Sequence, residues 1–448
     1  MSAQRPSQRG ITTYRRDVMG SALAVLNKLA QSRVIDRLGM RKPTERVVFE
    51  TTKTGFRTIG AVSRTFTRSD STGAPARLND RKADLFDLTP TEDQEMIVGV
   101  VREFAGEVLR PGAEKADAAC VTPDDVLERS LELGLSLLEV PGDAGGLGAE
   151  RSTTTAVLVA EALAHGDLGM AVACLSPASV ATALSLWGDG AQQQTYLSSF
   201  TGAEILAAAL AVAEPRPLFD PFELATTAVR EGGGYVLNGT KSMVVRAADA
   251  ELLVIAAELE DTGPALFLVE SDTRGLAVEA EPSMGLRAAS LSRVICTDVA
   301  VPRRALLGDG RPEAYAECIR LSRLAWCALA IGTGQAVLDY VIPYVKERQA
   351  FGEPIAHRQS VAFLVANIGI ELEGMRLATY RAAARAEQGR DFAREVALAR
   401  RLCAEHGMRI GSDGVQLLGG HGFVKEHPVE RWYRDLRAIG VMEGGLLA

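Results

Sequence analysis

Residues 226–241, TTAVREGGGYVLNGTK, mark the point where the chain changes character. Thr226–Arg230 and Tyr235–Asn238 are β-rich runs flanking Gly232, Gly233 and Gly234, a pattern that predicts a hairpin. Upstream, from about Thr89, apolar residues recur at helical spacing. Thr91 is placed to cap a helix whose inner face reads Ile97, Val100, Val101 and Phe104. Further helices are expected around 123–134, 151–164, 168–187 and 190–199. Downstream come more β-rich runs, Leu252–Ala256, Ala265–Val269 and Val294–Val301. From Glu313 to about Leu418 the pattern is helical again, with few breakers. The order predicts an α+β, mostly α fold: a helical domain (88–206), a small β-domain (207–310) and a helical bundle (311–448).

The 448 residues carry a net charge of −8, unevenly spread. Residues 1–70 hold 14 Lys+Arg against five acids, so the remainder stands at −17. Residues 1–67 read as a basic arm with two amphipathic helices, and 68–87 as a polar linker with Gly and Pro. Such an arm suits packing on its own assembly, a partner subunit, an anionic membrane surface, or an organelle transit role. No apolar run of about 18 residues stands out, which argues against a spanning helix. Six scattered cysteines without CxxC pairs, and five histidines without ligand spacing, argue against structural zinc and for a reducing cytoplasm. No metal and no nucleic-acid partner is expected. No GxGxxG follows a strand, so a nicotinamide-binding reading has little support.

Five segments resemble the acyl-CoA dehydrogenase family, in family order: PGDAGGLG (141–148), the 226–241 hairpin, RQAFGEPIAHRQS (348–360), QLLGGHGFVKEHPVERWYRD (416–435) and VMEGG (441–445). The resemblance covers about residues 88–445. It implies a helical amino-terminal domain, a central β-domain and a carboxy-terminal four-helix bundle, with FAD between the last two and completed by a neighbouring subunit.

In that family a carboxylate removes the proton α to a thioester carbonyl while a β-hydride passes to the flavin. The base therefore needs a raised pKa, and the carbonyl needs hydrogen-bond donors. The resemblance places the base at Glu443. The alternative position, on an earlier helix just before an arginine, holds Ser322, which cannot serve. Arg323, next to it, resembles an arginine lining the substrate site, or is an ordinary helix cation. Arg348, Phe351 and Gly352 match the family's RxxFG, and Gln416, Gly419 and Gly420 the second part of a clamp on a neighbour's FAD. Arginine pairs with pyrophosphate, and glycines admit close backbone approach.

The match weakens where the chain's own flavin should lie. The family's TEPGAGSD stands here as Ala213-Glu214-Pro215-Arg216-Pro217-Leu218-Phe219-Asp220, and WITN as Met243-Val244-Val245-Arg246. The family's Glu-Gly-Thr ends as Glu443-Gly444-Gly445. Groups facing the chain's own flavin are changed, whereas those reaching into a neighbour's site are kept. The expectation is one subunit of a heteromeric, α2β2 acyl-CoA dehydrogenase with electron-transfer flavoprotein as acceptor. A self-sufficient homotetramer and a non-catalytic acyl-CoA-binding scaffold are the alternatives.

Overall fold

The computed structural model describes residues 89–146, 151–202 and 205–445. The basic arm and most of the linker lie outside the described residues. The helices before the sheet are α1 (Glu92–Phe104), α2 (Arg110–Ala119), α3 (Asp124–Glu132), α4 (Thr153–Gly166), α5 (Leu168–Trp187) and α6 (Gly190–Tyr196). Thr91 starts α1 with a reciprocal capping box: its hydroxyl accepts from the Gln94 N–H, and the Gln94 side chain accepts from the Thr91 N–H. The buried face of α1 is Val98, Val101 and Phe104. Val100, expected inside, is 49% exposed. Counting back from Phe104 by three puts 101 and 98 on one face, and 100 falls one step around the helix.

The strands are β1 (Ala208–Ala211), β2 (Thr227–Glu231), β3 (Gly234–Val245), β4 (Leu252–Leu259), β5 (Gly263–Glu270), β6 (Leu276–Ala280) and β7 (Leu291–Pro302). They pair in the order β1-β4-β2-β3-β7-β6, with β5 also on β4. β2 and β3 form the expected hairpin, Val229 opposite Val236. β1 and β6 lie outside the expected runs, being short with little alternation. The β3–β7 register slips between Lys241 and Val244, a bulge at which Met243 takes a left-handed conformation (φ 57°). Bulges re-aim side chains, and this one turns the end of β3 toward the helices.

The last layer is α7 (Pro312–Glu347), a two-residue hairpin of β8 (Gln349–Ala350) and β9 (Glu353–Pro354), α8 (Gln359–Glu387), α9 (Ala393–Leu418) and α10 (Val429–Leu436). By length and composition α5 and α7 would reach across a membrane; 78% and 67% of their most apolar windows are buried inside the protein, so they serve as core helices. The core cluster around α7 includes Leu329, Val337 and Trp432. Motif RWYRD fastens α10 to everything before it. Arg431 pairs with buried Asp167 at 3.0 Å, Arg434 grips Asp117 at 2.9 and 3.0 Å, and Asp435 accepts from the Leu286 N–H at 2.7 Å. Burial, reinforced by the Asp167 carboxylate, pushes Asp435 up to about 7.

Candidate active site

The turn that follows α10 carries Glu443 into the interior. Glu443 is 7% exposed and adopts a left-handed conformation (φ 57°), unusual for a residue with a Cβ. Three backbone carbonyls hold it there. Arg323, on α7, donates from Nε and Nη2 to the Glu443 carbonyl at 3.0 and 2.9 Å. Arg400, on α9, donates from Nη2 to the Met442 carbonyl at 2.6 Å and also to that of Gly444. Next in line, the Gly445 N–H bonds the Phe219 carbonyl at 2.8 Å, tying the turn to the loop after β1.

The side chain is held separately. Ser322 Oγ donates to Glu443 Oε1 at 2.9 Å, while buried Oε2 has no hydrogen-bond partner. Burial raises the Glu443 pKa, against the opposing pull of Ser322, Arg400, Arg323 and Trp326. The Glu443 N–H also lacks a partner among the described residues. Glu443, Trp326 and Met442 line one side of a cavity of about 110 Å³, and Ala213, Met243 and Val245 line the other. Arg323 is not among the lining residues; it stands behind the base.

Every serine hydroxyl in that lining is already engaged. Ser176 donates to the Ala208 carbonyl (2.8 Å), Ser179 to the Ser176 carbonyl (2.6 Å), Ser242 to Glu281 (2.9 Å) and Ser322 to Glu443. Ala213 and Val245 bring none, and the Met243 N–H is bound by Glu281 Oε2 at 2.6 Å. On the β-domain side, buried Glu214 accepts from the Ala225 and Thr226 N–H groups and from Lys241 Nζ (3.0 Å), which fixes the start of the altered loop.

The second set of predicted residues gathers elsewhere. Tyr344, one turn before Arg348, donates to the Leu418 carbonyl and bonds His421, which brings the Arg348–Gly352 and Gln416–Gly420 segments to one end of the bundle. Arg348, Gln416, Gly419 and Gly420 are exposed, and the Arg348 guanidinium has no partner among the described residues. Gly419 sits at φ 59°, ψ −129°, a region essentially closed to other residues, and a Cβ there would meet open space. Phe351 is 94% exposed, with Arg358 stacked 5.4 Å over its ring. An exposed guanidinium and open backbone thus share one end of the bundle, a combination whose chemistry suits an anion.

The two sets do not meet within one chain. Arg323 and Arg348 stand 25 positions apart along α7 and its C-cap, roughly 38 Å at about 1.5 Å per residue. Sequence reasoning missed Arg400 and the Ser322 contact. A signal for Arg400 existed: it shares a helix face with apolar Val396, Ala399 and Cys403.

Sequence profiles of three domains match in order: the acyl-CoA dehydrogenase N-terminal domain over 91–204, the middle domain over 209–299 and the C-terminal domain over 309–445. Short-chain specific acyl-CoA dehydrogenase of Mus musculus is 31% identical over 79% of this chain and 87% of its own length. The 3-(aryl)acrylate reductase of Clostridium sporogenes is 30% identical over 79% and 95%. Among solved structures, butyryl-CoA dehydrogenase from Megasphaera elsdenii superposes with a TM-score of 0.75 at 26% identity, covering 81% of this chain and 97% of that one. This chain belongs to the acyl-CoA dehydrogenase family. Proteins of this family are oxidoreductases acting on CH–CH groups, and their cofactor is FAD. The residues present fit FAD at that end of the bundle, where guanidinium and open backbone suit a pyrophosphate. At the cavity beside Glu443 the serine hydroxyls and the Met243 N–H are engaged within the protein, while Glu443 Oε2 and the Glu443 N–H have no partner among the described residues.

Proposed function

We propose that this chain takes part in the α,β-dehydrogenation of an acyl-CoA thioester, with Glu443 as the base. One observation carries the reading: a buried carboxylate, aimed by Ser322, whose second oxygen has no partner at a cavity wall. FAD, when bound, supplies the acceptor for the hydride leaving the β-carbon. The chain's own part is to take the α-proton at Glu443 Oε2, with the Glu443 N–H free to donate to the thioester oxygen as charge grows there. Arg323 and Arg400 are positioning residues that hold the turn.

We further propose that the working unit is an assembly in which Arg348, Phe351, Gly352, Gln416, Gly419 and Gly420 hold a FAD seated in a neighbouring chain. The distance between Arg323 and Arg348 supports this, as does an exposed apolar stripe on α8, Phe363, Ile370 and Leu377, at heptad spacing. The engaged hydroxyls beside Glu443 favour an α2β2 complex with a second acyl-CoA dehydrogenase subunit over a homotetramer. Electron-transfer flavoprotein is the proposed acceptor, in line with a solved structure titled for the electron transferring flavoprotein of Acidaminococcus fermentans (28% identity, TM-score 0.75, covering 81% of this chain and 97% of that one). Six free cysteines accord with a cytoplasmic location. The test is flavin content and mass of the protein purified alone and with its genomic-neighbour dehydrogenase. About half-stoichiometric FAD gained only with the partner supports the shared-site assembly, whereas one FAD per chain in a lone tetramer establishes the homotetramer. Loss of flavin in both preparations, with acyl-CoA still bound, makes the chain a scaffold.

A further inference from the structure

Behind the cavity at Glu443 lies an inner chamber of about 140 Å³. Leu175, Ser179, Leu210, Ser322 and Ala325 line both, so the two spaces adjoin. The walls of the chamber are largely apolar, from α4, α5 and α7, but Glu139, Arg151 and Thr182 also line it. Glu139 Oε2 accepts from Arg151 Nε and lies 2.9 Å from Thr182 Oγ1, whose single proton it shares with the Ala178 carbonyl at 2.8 Å. Its other oxygen, Oε1, has no donor among the described residues, although the Glu139 side chain is only 9% exposed. Arg151 spends Nε on Glu139 and Nη1 on the Thr153 hydroxyl at the start of α4, 2.9 Å away, and keeps Nη2 free among the described residues.

We propose that this chamber takes the distal end of an acyl chain bearing an uncharged hydrogen-bonding group, a hydroxyl foremost, held between Glu139 and Arg151. The inference rests on the acyl-CoA reading above and names its substrate class. A plain alkyl end would leave a desolvated carboxylate oxygen without a partner, which costs binding. A carboxylate end could pair with Arg151 only by sitting against the Glu139 carboxylate, and an ammonium end with Glu139 only against the Arg151 guanidinium, so either adds an uncompensated charge to a pair already neutral, in apolar surroundings. A hydroxyl donates to Glu139 Oε1 and accepts from Arg151 Nη2, and brings no charge. Sites built to bond a substrate hydroxyl reject the analogue that lacks it more strongly than apolar pockets reject an added one.

The test uses the full chain in the assembly in which it purifies, loaded with FAD. Calorimetry gives the Kd of three non-oxidisable thioether series, S-alkyl-CoA, S-(ω-hydroxyalkyl)-CoA and S-(ω-carboxyalkyl)-CoA, from about four to ten carbons. At the best-bound length the hydroxyl form is expected to bind about tenfold or more tightly than the alkyl form. The double variant Glu139→Leu/Arg151→Leu is expected to lose that advantage while still binding the alkyl form. Equal or tighter binding of the alkyl or carboxyl form by the wild-type protein overturns this proposal and leaves the dehydrogenase reading standing. Failure to bind any of the three overturns both. The wild-type comparison decides the matter even if the double variant does not fold.

Discussion

Arg323 holds Glu443 by its backbone carbonyl, with two hydrogen bonds of 3.0 and 2.9 Å, and makes none to its carboxylate. The cation thus fixes the turn without taking a lone pair from the carboxylate. Arg400 does the same from α9, through the carbonyls on either side. The cations hold the turn through its backbone and Ser322 aims the carboxylate, so the two roles are separable by mutation, although both cations also oppose the burial-driven rise in the Glu443 pKa.

The first separation is by charge. Burial raises the Glu443 pKa in the folded protein above its unfolded value. A group shifted this way favours folding below the unfolded pKa, and that contribution is lost as pH rises through the folded pKa. Glu443→Gln should therefore be more stable than wild type at neutral pH, by about 2 °C in Tm. The gain should vanish as pH falls through the raised value. In an active assembly with Glu443 as base, the same variant should lose turnover, and the wild-type rate should fall on the acid side at a pH above the ordinary glutamate range. Calorimetric melting from about pH 4 to 8 and a pH–rate profile check both limbs.

Arg400 is buried, with Nε and Nη1 unpartnered, and burial holds it down to about 10, still cationic at neutral pH. Arg400→Ala should free the turn and lower kcat at least about tenfold, a loss of roughly 1.4 kcal/mol, with little change in KM. Arg400→Lys should restore part of it. An equal loss in kcat with the lysine variant would show that both carbonyls need the planar guanidinium.

Gly444 tests the same turn sterically. A Cβ there would lie 2.6 Å from Pro221 Cδ and 3.0 Å from Arg323 Nη2, at φ 103°. Gly444→Ala should cost about 1–3 kcal/mol of stability and, by displacing Arg323, reduce turnover. Chemical denaturation and steady-state kinetics read the two effects.

Most of the architecture was legible because it is written in periodicity. The helix that Thr91 caps, the 226–241 hairpin and the long helices each carry a readable stripe or alternation, whereas the reciprocal bond between Gln94 and Thr91 was not read. What escaped was local competition. β1, AALA, has no alternation to read, and the long helical stretch from Glu313 concealed two breaks, at 348–358 and 388–392, whose positions depend on packing. Of the candidate site, the sequence offered the residues that sit in recognisable motifs, and the structure buries Glu443 and brings the Arg348–Gly352 and Gln416–Gly420 segments to one end of the bundle. Contacts between residues far apart in the chain, such as Ser322 to Glu443, could not, because they exist only once α7 and the terminal turn are packed together.

Lys241 is fully buried against Glu214, 3.0 Å away. Lys241→Met alone should destabilise by about 3–5 kcal/mol, because it strands a buried carboxylate. Lys241→Met combined with Glu214→Leu should recover much of that loss, unless the Ala225 and Thr226 N–H groups need the carboxylate more than the lysine does. Urea denaturation of the four proteins closes the cycle.

Assembly can be tested at two places far from the base. Ile370, 70% exposed in the α8 stripe, should tolerate Ala with little change in mass. Ile370→Asp should lower the mass seen by light scattering if the stripe is an interface. Arg348→Ala should leave the melting temperature of the chain almost unchanged, since its guanidinium is exposed and has no partner among the described residues, while lowering FAD retention by the assembly. Unaltered FAD retention would refute the clamp.

A single helix of 36 residues carries the Ser322 and Arg323 supports near its start and delivers Arg348 just past its end. In the assembly proposed above, each copy of the chain would contribute to two different reaction centres and own neither outright. Mutations at one end answer to one centre and those at the other end to another, so the two can drift independently. After a gene duplication, one copy can give up its own cofactor seat yet remain indispensable to its sibling's. Inheritance, on this layout, acts on half-sites rather than on proteins.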